Sequence, residues 1–300
     1  MKVLLTGGSG FIGRMTIAPL VDAGVDLHIV ARGAPDASTG GIWHRADLLN
    51  ADEIRYLVTS LKPDIVVHLA WCVEHGHFWS DPANLDWVAA TANLIRAAAE
   101  AGASRFVGVG TCYEYDWPAA GDCNELTTSL AAHTLYDAAK DASRRVMEMF
   151  CADNQMSFAW ARLFFLYGPG ENPARLVSSV ASALVRDSKA KVSRGLAVRD
   201  FMDVRDVGAA LAKLALSQVK GAINIASGEG VRISDLVLKM GDLAGCPDLI
   251  NIGALPDRPG DPPRIVADTR RLREELGFRP SISLEQGLGD ALSYWRARLI

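Results

Sequence analysis

The sequence lacks the features that mark secreted, membrane and nucleic-acid-binding proteins. Its five cysteines are scattered, odd in number and never spaced C-x-x-C, which is typical of reduced thiols rather than of disulfides or a zinc site. No run of Lys or Arg is present and the net charge is −4, which argues against nucleic acid as the main partner. No apolar run approaches the roughly 20 residues that span a bilayer, and the N-terminal one is too short for a signal peptide. We expect a cytoplasmic globular protein without a membrane partner.

In the first half of the chain, near-continuous apolar runs alternate with amphipathic ones. The apolar runs predict strands at 2–6, 26–31, 42–46, 64–70, 105–110 and 157–164. The stretches between them predict helices at 12–23, 51–61, 84–102 and 136–152. Apolar strands separated by helices are typical of a parallel sheet buried on both faces. The sequence therefore predicts an α/β fold, a Rossmann-type doubly wound parallel sheet that binds ligands at the carboxyl ends of its strands.

After about residue 165 the alternation becomes irregular. Turn-rich loops are expected at 167–173 and 256–264. Helices are predicted at 174–187, 204–218, 233–245, 268–276 and 284–298. We expect residues 1–165 to form the Rossmann domain. Residues 166–300 would form a smaller α/β substrate-binding lobe, from which the chain crosses back to the sheet at about 197–226.

A glycine-rich segment, TGGSGFIG, directly follows the first predicted strand and opens a helix. Gly7, Gly10 and Gly13 are spaced G-x-x-G-x-x-G, with Phe11 and Ile12 between the last two. Glycines here permit a tight turn and let a pyrophosphate approach the amide groups at the helix N-terminus. The segment could be only a structural turn, but its position between strand and helix favours an NAD(P) site.

The end of the second predicted strand bears on the form of the cofactor. A carboxylate at this place would bind the ribose hydroxyls of NAD. The sequence has Ala31 and Arg32 instead. An arginine can hold the extra phosphate of NADP, so NADP is favoured, although Arg32 could be an ordinary solvated loop residue.

Tyr136 and Lys140 lie four residues apart in an Ala-rich helical stretch and therefore share one helix face. A phenol has an ordinary pKa of about 10, and a nearby ammonium stabilises its anion. The pair is a candidate proton donor and acceptor.

Together these motifs resemble the extended short-chain dehydrogenase/reductases, also called the NAD-dependent epimerase/dehydratase family, over almost the whole chain. The matching segments are TGGSGFIG, HLA, GTCYEY, YDAAK, RLFFLYGPG, VRDFMDVRDV and RPGD. The resemblance implies that Thr111 is the catalytic hydroxyl, four residues before the motif tyrosine, Tyr115. The further cofactor-binding residues that it implies are Asp47, Leu48, Leu69, Ala70, Tyr136 and Lys140.

The resemblance also implies a nucleotide-linked sugar as substrate. Arg199 and Arg258 match positions at which family members bind a nucleotide diphosphate, and the forked donors of arginine suit phosphate oxygens. Either arginine could instead form a salt bridge between the lobes.

The chain departs from the family pattern at informative positions. Phe165 stands where family members often have Asn. The 4,6-dehydratases follow the catalytic Thr with Asp-Glu, but here Cys112 and Tyr113 follow it. The C3/C5 epimerases have a cysteine at the position of Tyr113. Cys112 is one residue away, on the opposite side of an expected extended segment. The residues for reduction are therefore present, while those for elimination or C5 epimerisation are not.

The segment EHGHFW and the nearby Trp71 contain a metal-like motif and a group of aromatic residues. Glu74, His75 and His77 resemble a metal motif, but further ligands are not nearby in sequence, so we expect no metal site. The neighbouring Trp71, Phe78 and Trp79 are expected to border the substrate pocket or to pack beneath the second lobe.

Helices 84–102 and 136–152 resemble the pair through which many family members form homodimers. Their apolar positions could serve that interface or the core; they are Leu94, Ala97, Ala98, Val146 and Met149.

The sequence thus predicts an NADPH-dependent reductase of a nucleotide-linked 4-keto-(6-deoxy) sugar. Hydride would pass to the ketone carbon, Tyr136 would protonate the forming alkoxide, and Thr111 would hydrogen-bond the same oxygen. An NAD-retaining 4-epimerase is the alternative, because it uses the same three residues. A non-enzymatic NADP-sensing protein is a more remote one.

Overall fold

A seven-stranded sheet forms the centre of the computed structural model, which describes residues 1–33, 40–74, 76–117 and 121–299. The strands are β1 (Lys2–Thr6), β2 (Asp26–Ala31), β3 (Ile42–Arg45), β4 (Ile65–His68), β5 (Arg105–Thr111), β6 (Ser157–Leu163), β7 (Phe165–Tyr167), β8 (Ala190–Val192), β9 (Val198–Asp203), β10 (Gly221–Ile225), β11 (Gly230–Arg232), β12 (Ile250–Ile252) and β13 (Arg264–Ile265). The helices are α1 (Phe11–Asp22), α2 (Ala51–Leu61), α3 (Ala83–Glu100), α4 (Leu135–Asp153), α5 (Leu176–Val185), α6 (Val204–Ala215), α7 (Ile233–Ala244) and α8 (Leu284–Leu299).

The central sheet is parallel throughout and runs in the order β10-β6-β5-β4-β1-β2-β3. Apolar residues of α1 and α6 cover one face, and those of α2, α3 and α4 cover the other. This confirms the predicted doubly wound α/β fold. The chain winds outward in both directions from β1 and β4, so a crevice opens where their carboxyl ends meet.

The second half of the chain differs in detail from the prediction. It returns to the sheet at β10, which pairs with β6. It also contains short strands that the sequence did not predict: β9 pairs with β7, β11 and β13, and β8 pairs with β12. Most of these strands have only two or three residues, too few for a period-two pattern to be recognised. The predicted helix at 268–276 is reduced to a π-helical segment at 271–275.

The five apolar positions considered for a dimer interface divide into two groups. Leu94, Ala97 and Ala98 are buried in the core between α3 and the sheet. Val146 and Met149 are 59% and 65% exposed on α4. In the described ranges, no helix combines the length and apolar character needed to cross a membrane.

The close packing of α1 against α6 generates a stability prediction. A Cβ at Gly208 of α6 would overlap the carbonyl oxygen of Met15 in α1, whereas at Gly289 of α8 it would meet no described atom within 4 Å. We expect Gly208→Ala to lower the free energy of unfolding by about 2 kcal/mol or more, because the helices must separate. The control Gly289→Ala should raise it by up to about 1 kcal/mol through helix propensity. Urea denaturation measures both, and a stabilised Gly208→Ala would contradict the packing argument.

Candidate active site

The glycine segment after β1 forms a cradle at the carboxyl edge of the sheet. Gly7 has a φ of +73°, and a Cβ there would lie 2.8 Å from the backbone nitrogen of Ala70. A Cβ at Gly13 would overlap the Gly7 carbonyl, so the turn and α1 approach as closely as backbone allows. Gly10 is the N-cap of α1 and has no side chain to occupy the helix N-terminus. The amides of the first turn, which contains Phe11 and Ile12, therefore remain suited to a pyrophosphate.

The other residues predicted for the cofactor lie at the same edge. Leu69 and Ala70 follow β4, which ends at His68 rather than at 70 as predicted. Asp47 follows β3, where its backbone N–H donates to Glu53 Oε2 (2.9 Å). The neighbouring Leu48 is buried. Arg32 directly follows β2 and is exposed.

A hydrogen-bonded chain that the sequence analysis missed holds the cradle from beneath. Ala70 N–H donates to Thr6 Oγ1 (3.3 Å), which lies 2.7 Å from His68 Nδ1. His68 Nε2 lies 3.0 Å from Thr91 Oγ1, and that hydroxyl donates to the Trp87 carbonyl. Since the Thr91 proton is used, His68 must donate from Nε2 and accept from Thr6 at Nδ1. Burial, and then the charge of Lys140, lower the pKa of His68 to about 3, in keeping with this neutral ring.

Thr111 and Tyr136 come from different elements. Thr111 ends β5 and is 7% exposed. Tyr136 lies in the first turn of α4, where its ring packs edge-on against Phe78 and Trp79, and its backbone N–H donates to the Trp79 carbonyl (3.1 Å). Burial, followed by the charge of Glu114, raises the pKa of the Tyr136 phenol, so the free protein holds it protonated.

Lys140 lies one helical turn beyond Tyr136 and is buried. Its Nζ donates to the Val109 carbonyl (3.0 Å), and lies 3.7 Å from the centre of a Trp71 ring and 5.9 Å from that of the Tyr136 ring. Burial lowers the pKa of Lys140 to about 7, while the charge of Glu114 acts in the opposite direction. The amino group therefore lies near the phenol, but in the free protein at neutral pH its charged form is only weakly favoured over the neutral amine.

Glu114 turns out to be structural. The segment Cys112–Glu114 is a 3-10 turn capped by Thr111, not the extended segment expected from the sequence. This geometry turns the Glu114 carboxylate inward, where it accepts from the Thr111 backbone N–H (2.9 Å), Trp160 Nε1 (3.0 Å) and Arg162 Nε (2.7 Å). Arg162 also donates to the Tyr115 hydroxyl (3.1 Å). The Glu114–Arg162 ion pair thus fixes the backbone of Thr111.

Three other residues considered from the sequence are Cys112, Arg199 and Arg258, of which the first two are buried and the third is exposed. Cys112 is buried, and that burial raises the pKa of its thiol, so the nucleophilic thiolate is disfavoured. Arg199 is buried in β9, with Nη2 2.8 Å from Asp261 Oδ2 and its guanidinium over the Phe165 ring. Arg258 is exposed in the loop that carries Asp261. The structure therefore shows an Arg199 ion pair within the second half of the chain.

The segment 71–79 contributes its aromatic side chains to the site, but not the described residues that resemble a metal motif. Trp71 lies beneath Lys140, while Phe78 and Trp79 contact the Tyr136 ring. Glu74 and His77 are exposed, and His75 lies outside the described residues. Over the described part of the chain, no three His, Cys, Asp or Glu side chains are grouped to hold a metal.

A dinucleotide cradle beside a Thr, a Tyr and a Lys at one sheet edge defines an NAD(P)-dependent enzyme. The model of the NAD dependent epimerase/dehydratase family matches residues 3–226, and the chain belongs to that family. The predicted family is thus confirmed.

The chain resembles relatives of more than one activity. GDP-6-deoxy-D-mannose reductase from Pseudomonas aeruginosa is 28% identical, with 99% of this chain and 98% of that protein covered. UDP-glucose 4-epimerase from Mycolicibacterium smegmatis is 26% identical, with 99% of each covered. The structure of RMD from Pseudomonas aeruginosa complexed with NADPH is 25% identical over all of both chains, with a TM-score of 0.86. These similarities support a nucleotide-sugar-modifying enzyme and leave its reaction open.

The buried ion pair beneath Thr111 generates one prediction. Glu114→Gln keeps the shape of the side chain but leaves the Arg162 charge unpaired, so we expect it to lower the free energy of unfolding by about 3 kcal/mol. The matched control is Glu285→Gln, which breaks an exposed ion pair with Lys239 and should change stability little. Equal losses in urea denaturation would show that burial does not distinguish the two pairs.

The buried side chain of Lys140 generates a second prediction. The pKa of Lys140 falls from an ordinary 10.5 to about 7 on folding. Below pH 7 both the folded and the unfolded chain carry the ammonium, and folding bears the full cost of burying it. Between pH 7 and pH 10.5 only the unfolded chain keeps the proton, so the free energy of unfolding rises with pH. Lys140→Met should therefore stabilise the cofactor-free protein by roughly 4 kcal/mol at neutral pH, with the gain shrinking as pH rises. Lys213→Met, at an exposed position, is the control for the change of side chain. A gain from Lys140→Met that does not change with pH would contradict this assignment.

Proposed function

We propose that the enzyme uses NADPH to reduce the ketone at C4 of a nucleotide-linked 4-keto-(6-deoxy) sugar. The observation that carries the proposal is the different use of neighbouring side chains at the end of β5. Thr111 stands with Tyr136 and Lys140, the residues suited to reduction, while the Glu114 carboxylate is held by Arg162 and the Cys112 thiol is buried. Among the described residues after β5, the Glu114 carboxylate is paired and the Cys112 thiol is buried, so neither is free to remove a proton from carbon, whereas Tyr136 can donate one to an alkoxide.

In the proposed reaction Tyr136 and Thr111 act on the ketone oxygen, and Lys140 acts on Tyr136. When bound, the nicotinamide cofactor supplies hydride to the ketone carbon. Tyr136 gives its phenolic proton to the oxygen as negative charge forms there, and Thr111 stabilises that charge by donating a hydrogen bond. Lys140 favours the resulting phenolate, and the positive charge of its ammonium lowers the pKa of Tyr136.

The preference for NADPH rests on Ala31 and Arg32, which stand at the end of β2 where a carboxylate would favour NAD. An exposed arginine at this edge can reach the phosphate that distinguishes NADP from NAD. The similar protein RMD from Pseudomonas aeruginosa forms a complex with NADPH, which supports the same preference.

The proposed substrate enters with its diphosphate towards Arg199 and Arg258. Arg199 is held against Asp261 in the free protein, so a diphosphate would share or replace that carboxylate as its anionic partner. The assembly that we propose is a homodimer through α3 and α4, because Val146 and Met149 leave apolar surface on α4. The cytoplasmic location stays a prediction from the sequence.

An NAD-retaining 4-epimerase is the second candidate, favoured by the identity shared with the Mycolicibacterium smegmatis enzyme. It would use the same Thr111, Tyr136 and Lys140. The two functions differ in whether cofactor is consumed: an epimerase keeps its NAD through purification and turns over without added NADPH.

The decisive assay is a panel of UDP-, dTDP-, CDP- and GDP-linked 4-keto-6-deoxy sugars, with NADPH and NADH as alternative cofactors. We expect stoichiometric loss of NADPH absorbance with at least one sugar and slower loss of NADH. Tyr136→Phe should lower kcat about 10²- to 10⁴-fold while NADPH still binds, because only the proton donor is removed. Turnover by tightly retained NAD without added NADPH would establish the epimerase instead.

A further inference from the structure

We propose that Tyr113 is a specificity-determining residue that selects a sugar lacking a hydroxyl at C6. This inference rests on the proposed function. It begins from a row of four aromatic rings, of which only that of Tyr136 has a proposed catalytic role. We call them the aromatic wall, formed by Tyr136, Trp79, Tyr113 and Phe165.

The aromatic wall runs from the proton donor to the buried arginine. The ring centre of Trp79 lies 5.8 Å from that of Tyr136 and 4.7 Å from that of Tyr113. Phe165 follows at 6.2 Å from Tyr113, and the Arg199 guanidinium lies 5.4 Å from the Phe165 ring. A sugar with C4 at Tyr136 and its diphosphate at Arg199 must therefore lie along these rings.

Tyr113 is the member of the wall whose position is tied to catalysis. Its backbone N–H donates to Thr111 Oγ1 (3.2 Å) within the capped 3-10 turn, so its ring is placed relative to the catalytic hydroxyl. Its neighbours in the turn, Cys112 and Glu114, are buried, whereas Tyr113 is half-buried and its ring packs edge-on against those of Trp79 and Trp117. Its ring also lies 6.2 Å from that of Phe165, over which the Arg199 guanidinium lies, so Tyr113 is near the proposed diphosphate site.

The chemistry of the wall distinguishes the two edges of a pyranose. Between C4 and C1, one edge carries the hydroxyls at C3 and C2, which need hydrogen-bonding partners when buried. The other edge consists of C5 and the ring oxygen, with C6 as its substituent. Aromatic rings suit this second edge when C6 is a methyl group, because a methyl gains from burial and a C6 hydroxyl loses its water. An apolar pocket rejects an added hydroxyl by at most about a hundredfold, which sets the scale of the selectivity.

The test measures binding, so that it does not depend on which reaction occurs. Enzyme loaded with NADPH is titrated calorimetrically with 4-hydroxy nucleotide sugars, which it cannot reduce. Each nucleotide is offered as a matched pair of 6-deoxy and 6-hydroxy sugars, with UDP, dTDP, CDP and GDP as carriers. The variants are Tyr113→Thr, which removes the ring, Tyr113→Phe, which keeps it, and Tyr56→Thr, a matched control on an exposed tyrosine of α2.

We expect the wild-type protein and Tyr56→Thr to bind the 6-deoxy member about ten- to a hundredfold more tightly. Tyr113→Phe should keep that ratio or increase it, because the ring remains and its hydroxyl is gone. Tyr113→Thr should reduce the ratio to within about threefold while NADPH affinity is unchanged, since the turn and Thr111 are retained. These three results together would support the assignment.

Other results would overturn it in distinguishable ways. Equal affinity for both members of the pair in the wild type, or an undiminished ratio in Tyr113→Thr, would remove Tyr113 from specificity and leave the proposed function standing. If NADPH bound but no nucleotide sugar did, the proposed function would fail and the role of Tyr113 with it. Loss of NADPH binding in Tyr113→Thr alone would assign the ring to the cofactor site instead of to sugar selection.

Discussion

The carboxylate of Glu114 joins the catalytic end of β5 to the protein core. A buried charge is tolerated when it is paired and fully hydrogen-bonded, and this one is held by Arg162, Trp160 and the Thr111 backbone. The strand must also make room for the contact: a Cβ at Gly110 would overlap both Glu114 and Trp160. The glycine before Thr111 is therefore required by packing, and the position of the catalytic hydroxyl is set by the interior of the sheet.

The same carboxylate shapes the electrostatics of the proton-transfer pair. Burial disfavours the Lys140 ammonium, and Glu114 is the group that acts to keep it charged. Glu114 also raises the pKa of Tyr136, which favours a protonated donor before reduction. His68, close to Lys140, is neutral and committed to its two threonine partners, so it does not compete for the proton. One structural ion pair thus supports the charge states that the proposed reduction needs.

Sequence patterns were sufficient for the features encoded locally. The six strands of the first half and the cradle after β1 were predictable, because apolar runs, glycine spacing and helix starts each lie within a few residues. The role of Glu114 was not, since its partner Arg162 lies on β6, and Tyr115 in turn donates to Asn224 on β10. The short strands of the second half were missed for the related reason that pairing, rather than local pattern, defines them.

The 3-10 turn after Thr111 explains why consecutive departures from the family motif have different consequences. In an extended segment Cys112 and Glu114 would share one face, and Tyr113 would share the other face with Thr111. The turn instead buries Cys112 and Glu114 and leaves Tyr113 half-buried, with its backbone N–H donating to the hydroxyl of Thr111. The residues that a dehydratase would use as acid and base are thereby replaced by a core thiol and an aromatic surface. The turn thus underlies both the proposed reaction and the proposed specificity: it buries the thiol and the carboxylate that follow Thr111, and it places an aromatic side chain beside that residue.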